Sequence, residues 1–191
     1  MSAISIATPT RQQLYEQLMS YADGSVHSAW LAQIIASWQL GAGALPDALG
    51  LNHLMFAKLV AQHFPGSQLD TVARSCKTAD FSRMLEKQQL EQLLRQYALL
   101  QNDDTECLIT IIVTACLGND HLWQDLGLWS RDDLSAMLKQ HFPEMVALNC
   151  YDMKWKKFIY KLLCDAEGIY VCRAPSCEVC TDYLGCYGEE D

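Results

Sequence analysis

The sequence has little positive charge and no long hydrophobic run, and both shortages exclude classes of protein. Lysine and arginine number 14 against 23 aspartates and glutamates, which gives a net charge of −9. A phosphate backbone is bound by clustered positive charge, so this balance argues against a nucleic-acid partner. The best apolar stretch, residues 107–117, is far shorter than the roughly 20 residues that span a bilayer. No basic residue precedes Arg11 and no signal-peptide core is present, which argues against export and membrane insertion.

The motifs of common enzymes are missing as well. The chain contains no nucleophile elbow, no Walker loop and no HExxH helix. It also contains no convincing run of alternating β-branched residues; the short stretch Ile169–Val171 could be extended, but one strand makes no sheet. These absences argue against an ordinary hydrolase.

The composition and the apolar periodicity predict a helical domain. Half of the 191 residues are hydrophobic and 19% are charged, which is enough apolar sequence for one packed core. Ser130 followed by Asp133 resembles a capping box at the start of a helix. One broad apolar face steps by four residues, through Val26, Trp30, Ile34 and Trp38. The predicted fold class is all-α, with a helical scaffold over residues 1–150.

The scaffold resembles two copies of one helical unit. When the chain is shifted by 77 positions, nine leucine, isoleucine and glycine residues between positions 31 and 51 meet identical residues between 108 and 128. One inserted residue later, Gln62–Pro65 recurs as Gln140–Pro143. This order predicts that residues 12–65 and 88–143 are duplicated units whose apolar faces pack into one helical bundle. Convergent helix endings are the alternative, since Leu-Gly pairs end many helices.

Three histidines are possible metal ligands. His63 and His141 occupy equivalent places just before Phe-Pro, where each is expected to end a helix and bond its terminal carbonyls. The shift of 77 positions pairs His121 with Ala44, so this histidine has no counterpart in the first unit. It is therefore the better candidate for an extra metal ligand.

Residues 151–191 differ from the scaffold because they combine a basic helix with clustered cysteines. The apolar stripe of this last helix consists of Trp155, Phe158, Ile159, Leu162 and Leu163. Its opposite side carries three lysines, here called the basic stripe: Lys154, Lys157 and Lys161. Lys156 flanks the apolar stripe, and Arg173 follows the helix. The basic stripe is either a solvated surface or, together with Arg173, a positive field that attracts an oxyanion or an anionic cluster.

Four of the nine cysteines form one short motif. Cys172, Cys177, Cys180 and Cys186 have the spacing C-x4-C-x2-C-x5-C. The first two spacings match plant-type ferredoxins, whereas structural zinc usually uses two C-x2-C knuckles. The motif therefore favours an iron–sulfur cluster, with a zinc site and a redox disulfide pair as alternatives. Among the other cysteines, Cys107 and Cys116 are predicted to be buried in an apolar helix, and Cys164 is a candidate extra ligand.

Several segments together resemble the NifQ family of nitrogenase cofactor assembly. They are Gly118–Leu128, Gln140–Pro143, Met153–Phe158, Cys164, and the cysteine motif that begins with Cys172-Arg-Ala-Pro-Ser-Cys177. The resemblance is clear over about residues 107–187 and loose in the N-terminal half.

The resemblance implies a bacterial cytoplasmic protein that binds an iron–sulfur cluster and molybdenum. The molybdenum would be held within a molybdenum–iron–sulfur cluster or taken from molybdate. It would pass to the scaffold complex on which the iron–molybdenum cofactor is built, with the nitrogenase iron protein taking part. Two rival functions follow from the cysteine motif alone, a ferredoxin-like electron-transfer protein and a zinc-stapled interaction module.

Overall fold

The regular structure is helical throughout the part of the chain that the computed structural model describes, which is residues 8–22, 24–67, 69, 84 and 86–167. The predicted all-α fold class is confirmed for these residues, among which there is no strand. The helices are α1 (Arg11–Met19), α2 (Val26–Gln39), α3 (His53–His63), α4 (Lys87–Tyr97), α5 (Asp103–Ala115), α6 (Leu122–Leu126), α7 (Arg131–His141), α8 (Pro143–Leu148) and α9 (Trp155–Glu167). A short helical turn, Asp47–Gly50, separates α2 from α3.

Polar side chains fix the beginnings of most of the long helices. A side-chain oxygen accepts a hydrogen bond from the backbone N–H three residues later at Thr10, Ser25, Asn52, Asn102 and Ser130. Such a cap satisfies one of the backbone donors that the first helical turn leaves unpaired. The start predicted at Ser130 is confirmed, since the Asp133 N–H lies 3.0 Å from Ser130 Oγ.

Helices α2 and α5 form the centre of one continuous core. Ile34 and Ile35 of α2 and Ile111 and Ile112 of α5 are completely buried. Full burial of each such side chain stabilises the fold by about 1.5–3 kcal/mol relative to exposure. Helix α1 packs against α2, and α4 packs against α5 and α9. The predicted apolar stripe of α9 joins the same core, with Leu162 half-buried and its other members buried.

The two predicted units contain their elements in the same order. Helices α1 and α2, the Asp47–Gly50 turn and α3 are followed by α4, α5, α6 and α7. Both α3 and α7 end at a histidine followed by a phenylalanine of nearly identical backbone conformation, φ −136° and ψ 62° at Phe64 against φ −136° and ψ 54° at Phe142. The duplication itself stays a prediction, which superposition of the two units would test.

Several predicted features lie outside the described residues. They are Ile169–Val171, Arg173 and the four motif cysteines Cys172, Cys177, Cys180 and Cys186. Among the described helices, none has both the length and the apolar content needed to cross a bilayer.

Candidate functional site

Helix α9 connects the scaffold to the cysteine motif. Its 13 residues end at Glu167, five residues before Cys172. At its beginning the Trp155 indole donates a hydrogen bond from Nε1 to Ser135 Oγ of α7, at 3.0 Å. Burial of the apolar stripe holds the rest of the helix against the body. The helix is therefore a fixed support from which the cysteine-rich segment continues.

Lys156 points into the body, in contrast with the neighbouring lysines. Its Nζ donates hydrogen bonds to the carbonyl oxygens of Gly118 and Asp120, at 2.9 and 2.7 Å, and to the carboxylate of Asp125. The side chains of Lys156 and Asp125 are only 13% and 4% exposed. Burial raises the pKa of Asp125, although its hydrogen bond with the Lys156 ammonium and the charge of that group lower it. This buried ion pair joins two of the segments that resemble NifQ, Gly118–Leu128 and Met153–Phe158.

The basic stripe lies on the accessible side of α9. Lys154 and Lys157 are half-buried. The Nζ of Lys161 donates to Asp165 Oδ2 at 2.8 Å, and both side chains are exposed. An exposed pair of this kind contributes little stability, so Lys161 can exchange Asp165 for another anion at small cost. Attraction of molybdate or of a cluster by the stripe and Arg173 stays a prediction.

The two candidate extra ligands lie on different elements, His121 just before α6 and Cys164 on α9. His121 is exposed, and its backbone N–H donates a hydrogen bond to Gln124 Oε1 at 3.2 Å. It follows Asp120, whose carbonyl binds Lys156 near the beginning of α9. Cys164 is half-buried near the end of the same helix. Within the described ranges no three His, Cys, Asp or Glu side chains are arranged to hold one metal ion, so ligation by either residue stays a prediction.

Cys107 and Cys116 are buried, as predicted. Burial raises the pKa of Cys107 to about 11, and the negative charges at the start of α5 add to the effect. Burial also raises the pKa of Cys116 to about 12, against the opposing charge of Lys156. Because the thiolate is the form that binds metal, both side chains remain protonated and unreactive at neutral pH. Cys150, by contrast, is exposed.

A histidine cluster between the two units was not predicted. His27 Nδ1 lies 2.9 Å from Nε2 of His141, and the His27 ring stacks on His63 with 4.7 Å between ring centroids. The expectation that His63 bonds carbonyls at its helix end is wrong. Its Nδ1 shares a hydrogen bond of 2.9 Å with Ser28 Oγ, and its buried Nε2 lies 3.6 Å from Asp104 Oδ2.

Burial influences the charge of one member of this cluster, His141. Burial lowers the pKa of His141, and the negative charge of Asp104 partly opposes the change. The neutral form of His141 is therefore favoured, which agrees with a hydrogen bond to His27 that needs one donor and one acceptor nitrogen. A partial signal for the cluster was present in the sequence, since the comparison of the two units pairs His63 with His141.

Comparisons with known proteins point to one family. The NifQ family model matches residues 30–188, a range that includes all four motif cysteines. The chain is 40% identical to "Protein NifQ" of Azotobacter vinelandii, over 84% of this chain and 88% of that protein. It is 32% identical to "Protein NifQ homolog" of Sinorhizobium fredii, over 87% and 72%, and 32% identical to "Protein NifQ" of Klebsiella pneumoniae, over 83% and 96%. No solved structure matches the chain.

Proposed function

The chain belongs to the NifQ family, and from this premise we propose that it is a carrier that binds an iron–sulfur cluster and donates molybdenum. Family membership implies a role in nitrogen fixation, in the biosynthesis of the iron–molybdenum cofactor. The finer proposal adds the cargo, the ligands and the direction of transfer. In this proposal the protein acts in the bacterial cytoplasm and is not an enzyme.

The contrast between two groups of cysteines carries the proposal. Cys107 and Cys116 are buried thiols whose raised pKa values of about 11 and 12 keep them protonated. The four cysteines that follow α9 are instead closely spaced in sequence, at Cys172, Cys177, Cys180 and Cys186. Four thiolates from one short segment fit an iron–sulfur centre, because soft sulfur ligands hold iron and sulfide-bound molybdenum well.

The cargo explains why a basic helix adjoins a thiol-rich segment. Molybdenum reaches the cell as molybdate, an oxyanion, whereas delivery within a sulfide-ligated cluster needs sulfur ligands. The basic stripe and Arg173 would concentrate the anion or an anionic cluster by charge. The four cysteines would then hold the metal until it passes to the cofactor scaffold complex, with the nitrogenase iron protein taking part.

Elemental analysis of anaerobically purified protein tests this function. We expect iron and molybdenum to copurify with the chain, and we expect Cys177→Ser to lose both. Cys107→Ser is the matched control and should keep its iron, since Cys107 is a buried packing residue. Zinc in place of iron would reject the carrier in favour of an interaction module. Iron without molybdenum, in a stable and reversibly reducible cluster, would favour an electron-transfer protein.

A further inference from the structure

The ammonium group of Lys156 is fully used inside the fold. A lysine has three N–H donors, and here they meet three acceptors, the carbonyls of Gly118 and Asp120 and the carboxylate of Asp125. With 13% of its side chain exposed, Lys156 is poorly placed to attract an anion from solution. Its role must therefore differ from that of the basic stripe on the same helix.

Asp125, which accepts a hydrogen bond from Lys156, is closely surrounded by Gly118 and Gly43. A Cβ atom added to Gly118 would overlap the Asp125 carboxylate, so glycine is needed there. The backbone oxygen of Asp125 accepts a hydrogen bond from the Ala44 N–H at 2.8 Å. A Cβ at Gly43 would lie 2.8 Å from the same oxygen. The residue is thus held from two sides, and the direction of its carboxylate toward α9 is fixed.

The ion pair and the hydrogen bond from Trp155 to Ser135 are two directional contacts near the beginning of α9. Burial of the apolar stripe is non-directional, and packed helices vary in crossing angle by roughly 20°. Lys156 stands 11 residues before Glu167, which corresponds to about 16 Å of helix. Without this contact, a change of roughly 20° in the direction of α9 would move the end of the helix by roughly 6 Å. The cysteine motif begins only five residues later.

We propose that Lys156 and Asp125 are positioning residues for metal delivery, whose ion pair sets the direction in which α9 presents the cysteine segment to its recipient. The inference rests on the proposed function, because it concerns the transfer of the molybdenum cargo. In this inference the pair acts through the direction of α9 and is not a ligand of the cargo. It should therefore influence transfer, and leave metal binding unchanged.

The test uses a double variant of the full-length protein, Asp125→Asn with Lys156→Met. Either single change leaves a buried charge unpaired and can unfold the chain, whereas loss of both charges is often tolerated. The introduced asparagine keeps the shape of the side chain beside Gly118. A second variant, Asp125→Glu, keeps both charges and lengthens the acceptor by one methylene group, so it displaces the contact without unpairing it. Lys87→Met, which breaks the ion pair with Glu91 on α4, is the control.

Four quantities decide the outcome: iron and molybdenum per chain, the thermal unfolding midpoint, hydrogen exchange of the α9 amides, and molybdenum transfer at increasing concentrations of the cofactor scaffold complex. We expect the double variant to keep its metal and its midpoint, to exchange α9 amides faster, and to need at least fivefold more scaffold complex for the same transfer. Asp125→Glu should show a smaller loss in the same direction, and Lys87→Met none.

Two results would overturn the inference. One is that both variants transfer molybdenum at the same concentrations of scaffold complex as the wild type. The other is loss of iron or molybdenum from the folded double variant, which would assign the pair to metal binding. Failure of the proposed function looks different, since the wild-type protein itself would then carry or transfer no molybdenum.

Discussion

The reactivity of individual cysteines should reveal which thiols can bind metal. The pKa of Cys107 is raised from an ordinary 9.0 to about 11, and that of Cys116 to about 12. At neutral pH each unit of increase lowers the thiolate fraction about tenfold. The thiolate should therefore be about 100-fold rarer at Cys107 and about 1000-fold rarer at Cys116 than at an ordinary thiol. Burial of both sulfur atoms slows access of a reagent further.

Alkylation by iodoacetamide, followed by mass spectrometry of each cysteine peptide, measures these differences. The reference for each residue is its own rate in the denatured chain. We expect folding to slow Cys107 by at least about 100-fold and Cys116 by at least about 1000-fold. Cys150, which is exposed, should change little and serves as the internal control.

The same alkylation experiment on iron-loaded and iron-free protein identifies the cysteines that bind iron. We expect the four cysteines of the motif to be protected in anaerobic, iron-loaded protein and to react rapidly after a chelator removes the iron. Cys107 and Cys116 should remain slow in both forms. The interpretation is wrong if either residue reacts in folded, iron-free protein as fast as in the denatured chain and becomes protected when iron is added.

Three further predictions concern pH, packing and charge. Because burial lowers the pKa of His141 below its usual 6.5, the unfolded chain binds a proton that the folded chain excludes as the pH falls below 6.5. Urea unfolding should show stability declining over that range, and His141→Asn should flatten the decline; an equal slope in both would refute the cause. Gly118→Ala should lower the free energy of unfolding by about 3 kcal/mol, because the added methyl group overpacks against Asp125. Gly66→Ala, at a φ of +80° with open space around it, should lower it by about 1 kcal/mol. Equal losses would contradict the close contact at Gly118. Glutamine at all three positions of the basic stripe should preserve iron but reduce molybdenum loading from molybdate, and added salt should shrink the difference by weakening the wild type; normal loading with failed transfer would instead indicate that the stripe docks the recipient.

Local sequence patterns predicted the helices because the information that specifies them is local. The start of α7 at Ser130 follows from a cap that spans three residues. The burial of α9 follows from a stripe with helical period. The inward direction of Lys156 could not be derived in this way, because its acceptors lie 31 to 38 residues earlier in the chain. One partial signal existed, namely that Lys156 flanks the apolar stripe whereas the basic stripe lies opposite it.

The histidine cluster shows the same limit of local patterns. His63 and His141 were correctly expected at helix ends, but their partners belong to other helices. The bond between His27 and His141 joins residues 114 positions apart. The comparison of the two units paired His63 with His141, but it gave no reason to place His27 beside them.

Where α9 contacts the body, the residues that the shift of 77 positions pairs with one another differ in charge and in the space around them. The shift of 77 positions pairs Gly118 with Gly41 and Asp125 with Ala48. In the second unit the space beside Gly118 is filled by the Asp125 carboxylate, which binds Lys156. In the first unit a Cβ at Gly41 would meet no atom within 4 Å, and Ala48 is a buried apolar residue at a φ of 52°. A buried carboxylate without a cation is unfavourable, so Asp125 could be accommodated only where a lysine from outside the unit reaches it. Lys156 of α9 therefore compensates a buried charge that has no counterpart at Ala48, the position that the shift pairs with Asp125.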